Sequence, residues 1–314
     1  MSSPLPTTVP LGAKRVNLLD WQASNRRLSV VLATGVFALL AALGYFAALA
    51  IDPELTWVFV GGALVIGGVQ NVVAYWFSDK IALNVSGARE ATLQENRYLV
   101  NITEAVAIGA GVPTPKLYVL DSPAPNAFAT GRNPEHGVIV VSTGLIELLD
   151  RQELEGVVAH EMAHIKNYDI LFMSMIAATV GALIILRDVI WRSLRYGGRG
   201  GRKRDEGGSQ AQAIGAVILV VLMILAPILA TLLHYAVSRR REYLADATGA
   251  YITRNPEGLA RALQKLRDYQ GQPLRVSEGL HHMFFTHPKA QLNASSAFAT
   301  HPPLEERIKR LRSM

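Results

Sequence analysis

The sequence predicts an α-helical membrane protein that carries a mainly helical α+β domain with a small β-sheet. Three observations support this. Half of the 314 residues are apolar and only 18% are charged, against about a quarter in an ordinary soluble domain. Two early runs are uncharged and long enough to cross a bilayer. The polar segments that follow alternate between helical and strand-like periodicity. The mean hydropathy of +0.22 excludes a disordered chain. The lack of cysteine excludes a disulfide scaffold, a thiol nucleophile and any Cys-ligated zinc or iron–sulfur site.

Residues 1–27 are a polar segment holding Lys14, Arg15, Arg26 and Arg27. Residues 28–51 carry no charge. At a rise of 1.5 Å per residue they make a helix of about 36 Å, enough for a hydrocarbon core of about 30 Å. A cleavable signal peptide would have a shorter apolar stretch, roughly 7–15 residues. Asp52-Pro53-Glu54 forms a tight connector without Lys or Arg, and a second uncharged run covers 57–77. Tyr75 and Trp76 near its end suit a membrane interface. Residues 28–77 therefore read as a two-span transmembrane hairpin, with the basic N-terminal segment on the cytoplasmic side.

Residues 78–169 read as an α/β segment. Leu93, Leu99, Ile102 and Val106 give 91–109 a helical face. Residues 116–120 alternate like a strand, and Pro123 and Pro125 mark a loop. The β-branched run 137–141 reads as a short strand. Asp150-Arg151-Gln152-Glu153 has the pattern of a capping box and opens a helix. Residues 170–237 read as an apolar helical hairpin around a Gly/Arg-rich loop, 192–212. Residues 238–314 are polar and mostly helical, with breaks at Asn255-Pro256, 270–273 and 300–303.

The chemistry lies in His160-Glu161-Met162-Ala163-His164. Positions four apart share one helix face, so both imidazoles can reach one zinc ion at about 2.0–2.1 Å. Glu161, one position on, lies beside the metal, where a general base is needed. An exposed surface helix fits poorly, because the residues around the motif are apolar or small. Catalytic zinc sites have three protein ligands and one open position. Asn167 and Ile170 stand where an HExxHxxGxxH pattern would place Gly and His. With cysteine absent, the third ligand is expected to be a carboxylate. Glu242 and Asp246 lie four apart on a further helix. One can bind the metal while the other accepts the second ring N–H of a ligating histidine. Spacing alone leaves open which does which.

HExxH followed far downstream by Glu242-Tyr243-Leu244-Ala245-Asp246 resembles the membrane-bound gluzincin peptidases of the HtpX type, relatives of the CAAX prenyl proteases. The likeness runs from about residue 28 to the end of the chain. It implies a gluzincin-like zinc metalloendopeptidase domain with one Zn2+ per chain held by His160, His164 and Glu242. Glu161 would be the catalytic base and Asp246 the partner of a ligating histidine. Asn126-Ala127-Phe128-Ala129-Thr130-Gly131 resembles the family's substrate-binding segment, and 300–307 its C-terminal motif. By that resemblance His301 and Arg307 face the site and stabilise the oxyanion. Thr286-His287-Pro288 echoes the motif without the following Leu-Glu-Glu-Arg, and His287 is read as a surface residue.

An extended substrate would pair with a strand edge, for which 137–141 is the candidate. Val138 and Val140 of that strand, with Asn126 and Ala127 of the segment that the resemblance points to, are the expected substrate-binding residues, with broad sequence preference. The resemblance implies protein or peptide substrates, above all misfolded membrane proteins, and a role in membrane protein quality control and the stress response. It also implies a multi-pass protein of a bacterial-type inner membrane whose active site faces the cytoplasm. His160 precedes one apolar stretch and Glu242 follows the other, so one metal requires 170–237 to return to the same side. The basic loop opposes a full crossing.

A CAAX-type prenyl-protein protease is the family alternative, but those enzymes have more spans. A non-catalytic zinc-binding membrane scaffold would have no use for Glu161. Recruitment of nucleic acid by the basic clusters is not expected. Arg239-Arg240-Arg241 and 199–204 flank apolar stretches, where contact with the lipid bilayer and its headgroups accounts for them.

Overall fold

The computed structural model describes residues 8–11, 14–51, 53–175, 239–269 and 302–314, together with Val217 and Val220. The chain divides into two compact units, one formed by 1–28, 76–174 and 235–314, the other by 29–75 and 175–234.

Two long helices, α1 (Leu18–Ile51) and α2 (Thr56–Ser86), joined through a 3-10 turn at Pro53–Leu55, give 29–51 and 56–75 to the second unit, while 18–28 and 76–86 belong to the first. Their most apolar windows have mean hydropathies of 2.2 and 1.7, yet only 24% and 17% of those windows are buried. A core helix of a soluble protein would be mostly covered. Trp57, Val65, Val69 and Val72 are instead exposed, as expected of side chains meant for lipid. Gly44 lets the two helices cross closely, since a Cβ there would stand 2.8 Å from the Phe59 carbonyl oxygen. Both helices outrun the uncharged segments. Helix α2 ends only where Gly87, at φ 71°, turns the chain and donates its N–H to the Leu83 carbonyl.

The first unit opens with an antiparallel hairpin of β1 (Thr8–Leu11) and β2 (Lys14–Asn17). Its main sheet contains β3 (Arg89–Glu90), β4 (Lys116–Leu120), β5 (Ala127–Gly131) and β6 (Gly137–Ser142), in the order β3-β4-β6-β5. Strands β4 and β6 run parallel, and β3 and β5 are antiparallel to their neighbours. The helices are α3 (Leu93–Ala110), α4 (Thr143–Leu148), α5 (Arg151–Lys166), α6 (169–175), α7 (239–253), α8 (Pro256–Asp268) and α9 (Leu304–Arg312). Helix α5 is central. Leu154, Val157, Val158 and Met162 pack among Leu99, Ile102 and Val106 of α3, Ile139 and Val141 of β6, and Leu259 and Leu263 of α8. Each such burial contributes about 1.5–3 kcal/mol.

Residues 137–141, expected at the edge of the sheet, lie inside it. Val138 is opposite Lys116 on one side and Thr130 on the other, and Val140 is opposite Tyr118 and Phe128. A continuous apolar strand is the pattern of one covered on both faces and paired on both sides. Among the described strands the edge on this side is β5. The loop 192–212 and nearly all of the 170–237 hairpin lie outside the described residues.

Candidate active site

Helix α5 starts from a complete capping box. Asp150 Oδ1 accepts the N–H groups of Gln152 and Glu153 at 2.9 and 3.0 Å, and Glu153 Oε2 accepts the Asp150 N–H at 2.9 Å. Glu153 is buried and also takes Lys265 of α8 at 2.7 Å. The start fixes the helix phase, and the apolar core then holds the face carrying His160 and His164. Their rings stand edge to face with centroids 4.7 Å apart.

Helix α7 lies against α5 because position 249 is glycine. A Cβ there would stand 3.0 Å from the backbone nitrogen of His160. This approach brings Glu242 to the histidines. The Nε2 atoms of His160 and His164 are 3.1 Å apart. Glu242 Oε2 lies 3.6 Å from the first and Oε1 3.5 Å from the second. Ligands at about 2.05 Å around a tetrahedral ion stand about 3.3 Å from one another, so two imidazole nitrogens and a carboxylate with one oxygen facing each of them suit a single metal ion. They also form a potential metal-binding group among the described residues.

Both histidines are held from behind by carboxylates. His160 Nδ1 is 2.9 Å from Asp246 Oδ1, and His164 Nδ1 is 2.9 Å from Asp169 Oδ2. Burial, outweighing Asp246, lowers the His160 pKa to about 4. Burial also opposes charge on His164, but its hydrogen bond to Asp169 and the nearby Glu242 raise it to about 9. The two Nε2 atoms face each other across the 3.1 Å contact, where a bound metal ion would require both to be free of protons.

Glu161 is buried beside this group rather than in it. Burial, with the charge of Glu242, raises its pKa to about 7, against the pull of His164 and Arg307 and a hydrogen bond with the Ala129 backbone. Asn126 precedes β5 and is buried. Its N–H donates to Ser142 Oγ at 2.8 Å, and its Oδ1 accepts the Ala127 N–H at 2.8 Å. Ala127 pairs with Val141. Val138 and Val140 do not join the site. They cluster with Phe128 and Ala82, whereas Ile139 and Val141 pack in the α5 core, so strand alternation turns the two valines to the opposite face.

Arg307 comes from α9, which is docked by Arg310 stacking 3.8 Å over the Tyr243 ring and by Arg312 pairing with Glu257 at 3.1 Å. The Arg307 guanidinium is turned onto carboxylates. It donates to Asp246 through Nε and Nη2 at 2.8 and 2.7 Å, and its Nη1 lies 3.5 Å from Glu242 Oε2. This departs from the expected oxyanion position. Burial penalises charge on Asp246, but Arg307 and His160 hold its carboxyl below the usual range. His301 lies outside the described residues, as does His287.

Sequence reasoning missed Asp169. It is five residues after His164, across a turn at Tyr168, where φ is 58°. No spacing rule reports that turn. The recurrence of Glu242 and Gly249 seven apart on α7 was a readable sign of a close helix contact.

The chain is similar to known proteins along most of its length. The model of peptidase family M48 matches residues 93–314. A protease HtpX homologue of Caldanaerobacter subterraneus subsp. tengcongensis is 44% identical over 300 residues, covering 95% of this chain and 98% of its own. One from Thermoanaerobacter pseudethanolicus is 43% identical over 305 residues, covering 96% and 99%. In fold, the chain is similar to the crystal structure of Ste24p from S. mikatae, with a TM-score of 0.51 at 19% identity, over 93% of this chain and 67% of that one. A chain with this family match, HtpX relatives along nearly its whole length and two membrane-capable helices belongs to peptidase family M48, as a membrane-associated metalloprotease of the HtpX type.

Proposed function

We propose that the chain is a zinc endopeptidase that cleaves extended segments of misfolded membrane proteins at the cytoplasmic face of a bacterial-type inner membrane. The observation that carries this is the triangle of His160, His164 and Glu242 with Glu161 buried beside it. When bound, zinc supplies a Lewis acid that acidifies a water and polarises the scissile carbonyl.

The chain's own residues then have distinct tasks. Asp246 and Asp169 hold the two Nδ1 atoms, leaving each Nε2 aimed at the metal position. Glu161 takes the proton of the attacking water and passes it to the leaving amine. A carboxyl raised to about 7 suits both steps near neutral pH. Strand β5, with Asn126 and Ala127, is the edge that pairs with substrate. The Ala129 backbone of this strand lies beside Glu161, so a segment paired with β5 would run past the base. Recognition through backbone pairing favours broad sequence preference, which suits a quality-control role. His301 is proposed to donate to the oxyanion, as the family resemblance implies.

Similarity along 98% of an HtpX homologue favours this reading over prenyl-protein cleavage. The test uses the full chain in detergent. Wild type should contain one zinc and hydrolyse an unstructured protein. Glu161→Gln should keep zinc and fold while losing about 10²–10⁴ in rate. Near-normal cleavage by a folded, zinc-loaded Glu161→Gln protein would remove Glu161 as the base.

A further inference from the structure

We propose that Asp169 is a positioning residue for His164, and that Asn25 near the start of α1 and Arg241 of α7 hold Asp169 in place. The inference rests on reading His160, His164 and Glu242 as metal ligands.

The geometry builds outward from the imidazole. Helix α5 stops at Lys166, and Tyr168, at φ 58°, turns the chain so that Asp169 folds back against the helix. Few non-glycine residues adopt this backbone, and it persists only where the surroundings hold it. Asp169 is 1% exposed. Its Oδ2 faces His164 Nδ1 at 2.9 Å. Its Oδ1 accepts from Arg241 Nη1 at 2.5 Å and from Asn25 Nδ2 at 2.7 Å. The same Asn25 nitrogen donates to the Asn167 carbonyl at 2.7 Å, which spans the turn from the other side. Arg241 immediately precedes Glu242, and its guanidinium lies 4.1 Å over the Phe172 ring.

The carboxylate has one oxygen for the metal ligand and the other for the rest of the fold. Accepting the Nδ1 proton fixes the tautomer, leaves the Nε2 lone pair for the metal and sets the ring plane. Asp246 does the same for His160 and is held in turn by Arg307. The two arrangements differ in what secures them. Asp246 depends on the C-terminal helix, whereas Asp169 depends on α1, through a residue 142 positions before the turn it bonds. Asn25 is itself 1% exposed. The N-terminal part of α1 is therefore part of the metal site.

Zinc affinity by chelator competition, and the visible spectrum of the cobalt-substituted full chain, test this without an activity assay. Asp169→Ala should lower zinc affinity about 10–100-fold. Asp169→Asn keeps an acceptor oxygen and should lower it less. Both should shift the cobalt d–d bands, which a purely structural role would leave in place. Asn25→Ala should weaken zinc binding in the wild-type background and have no further effect beside Asp169→Ala. Wild-type affinity and an unchanged cobalt spectrum in Asp169→Asn and Asp169→Ala would overturn the proposal. Asp169→Asn is close enough in shape to carry the test if Asp169→Ala does not fold. An equal effect of Asn25→Ala in both backgrounds would remove Asn25 from the arrangement. A wild-type chain binding neither zinc nor cobalt would remove the metal reading itself, and this inference with it.

Discussion

Arg307 grips Asp246 with two hydrogen bonds of 2.7 and 2.8 Å in the buried interior, and the same carboxylate holds the Nδ1 of His160. The C-terminal helix thus reaches the metal site through one guanidinium. Removing one partner of such a buried pair strands the other charge, at a cost of about 3–5 kcal/mol. Arg307→Ala should therefore lower thermal stability by that order and weaken zinc binding. Arg307→Lys, which keeps the charge without the fork, should fall between. An Arg307→Ala protein with wild-type unfolding and wild-type zinc affinity would contradict the arrangement.

The two carboxylates of α7 should separate in a metal assay. Glu242 lies within 3.6 Å of both Nε2 atoms, whereas Asp246 touches only the far nitrogen of His160. Glu242→Ala should abolish zinc retention. Asp246→Ala should retain measurable zinc at about 10–100-fold lower affinity. Metal content of folded variants against a chelator series decides the order, and the reverse order would exchange the roles.

Gly249 offers a steric test. A methyl there meets the His160 backbone nitrogen at 3.0 Å and the Ala159 carbonyl carbon at 3.2 Å. Overpacking of this kind costs about 1–3 kcal/mol, partly offset by about 1 kcal/mol of helix propensity. Gly249→Ala should be mildly destabilised, with reduced zinc affinity because Glu242 moves with α7. Gly156→Ala, which meets α8 at the Leu259 nitrogen at 2.8 Å, should lose stability with a smaller effect on zinc. Equal zinc losses in the two variants would show that the effect is not local.

The capping box predicts a pH-dependent difference. Hydrogen bonds from the Glu153 and Gln152 backbones hold the Asp150 carboxyl below its usual range. A depressed folded-state pKa gives stability that is complete above the unfolded value, about 3.9, and is lost as pH falls through the folded value. Asp150→Ala should cost about 0.5–2 kcal/mol at neutral pH. Its difference from wild type should shrink in acid below about pH 4. A gap of constant size down to strong acid would mean that the cap does not act through its charge.

The legible parts of this protein share a short range. The capping box at Asp150, the strands at 116–120 and 137–141, and the pairing of His160 with His164 are patterns within one or two turns. Helical or strand periodicity reports them directly. The placement of β6 was not legible, because its neighbours come from 116–120 and 127–131 and sheet order is a long-range choice. Strand β5 was read only as a substrate segment, since Ala-Phe-Ala-Thr-Gly has a single β-branched residue and weak strand character.

By itself the sequence determined the kind of chemistry: two imidazoles on one helix face, a carboxylate beside them, another carboxylate pair downstream, and apolar runs of membrane length. These follow from helix geometry and side-chain type, which act over a few residues. Tertiary structure decided how the parts serve the site. It placed Glu242 across both imidazoles through the close approach at Gly249, turned Arg307 onto Asp246, moved the strand edge from 137–141 to β5, and brought Asn25 and Asp169 to His164. The physical reason is that a buried charge must find its partner wherever the packed core presents one. For Asp169 the charged partner is Arg241 of α7 and the second donor is Asn25 of α1, both far away in the sequence, where no local pattern could announce them.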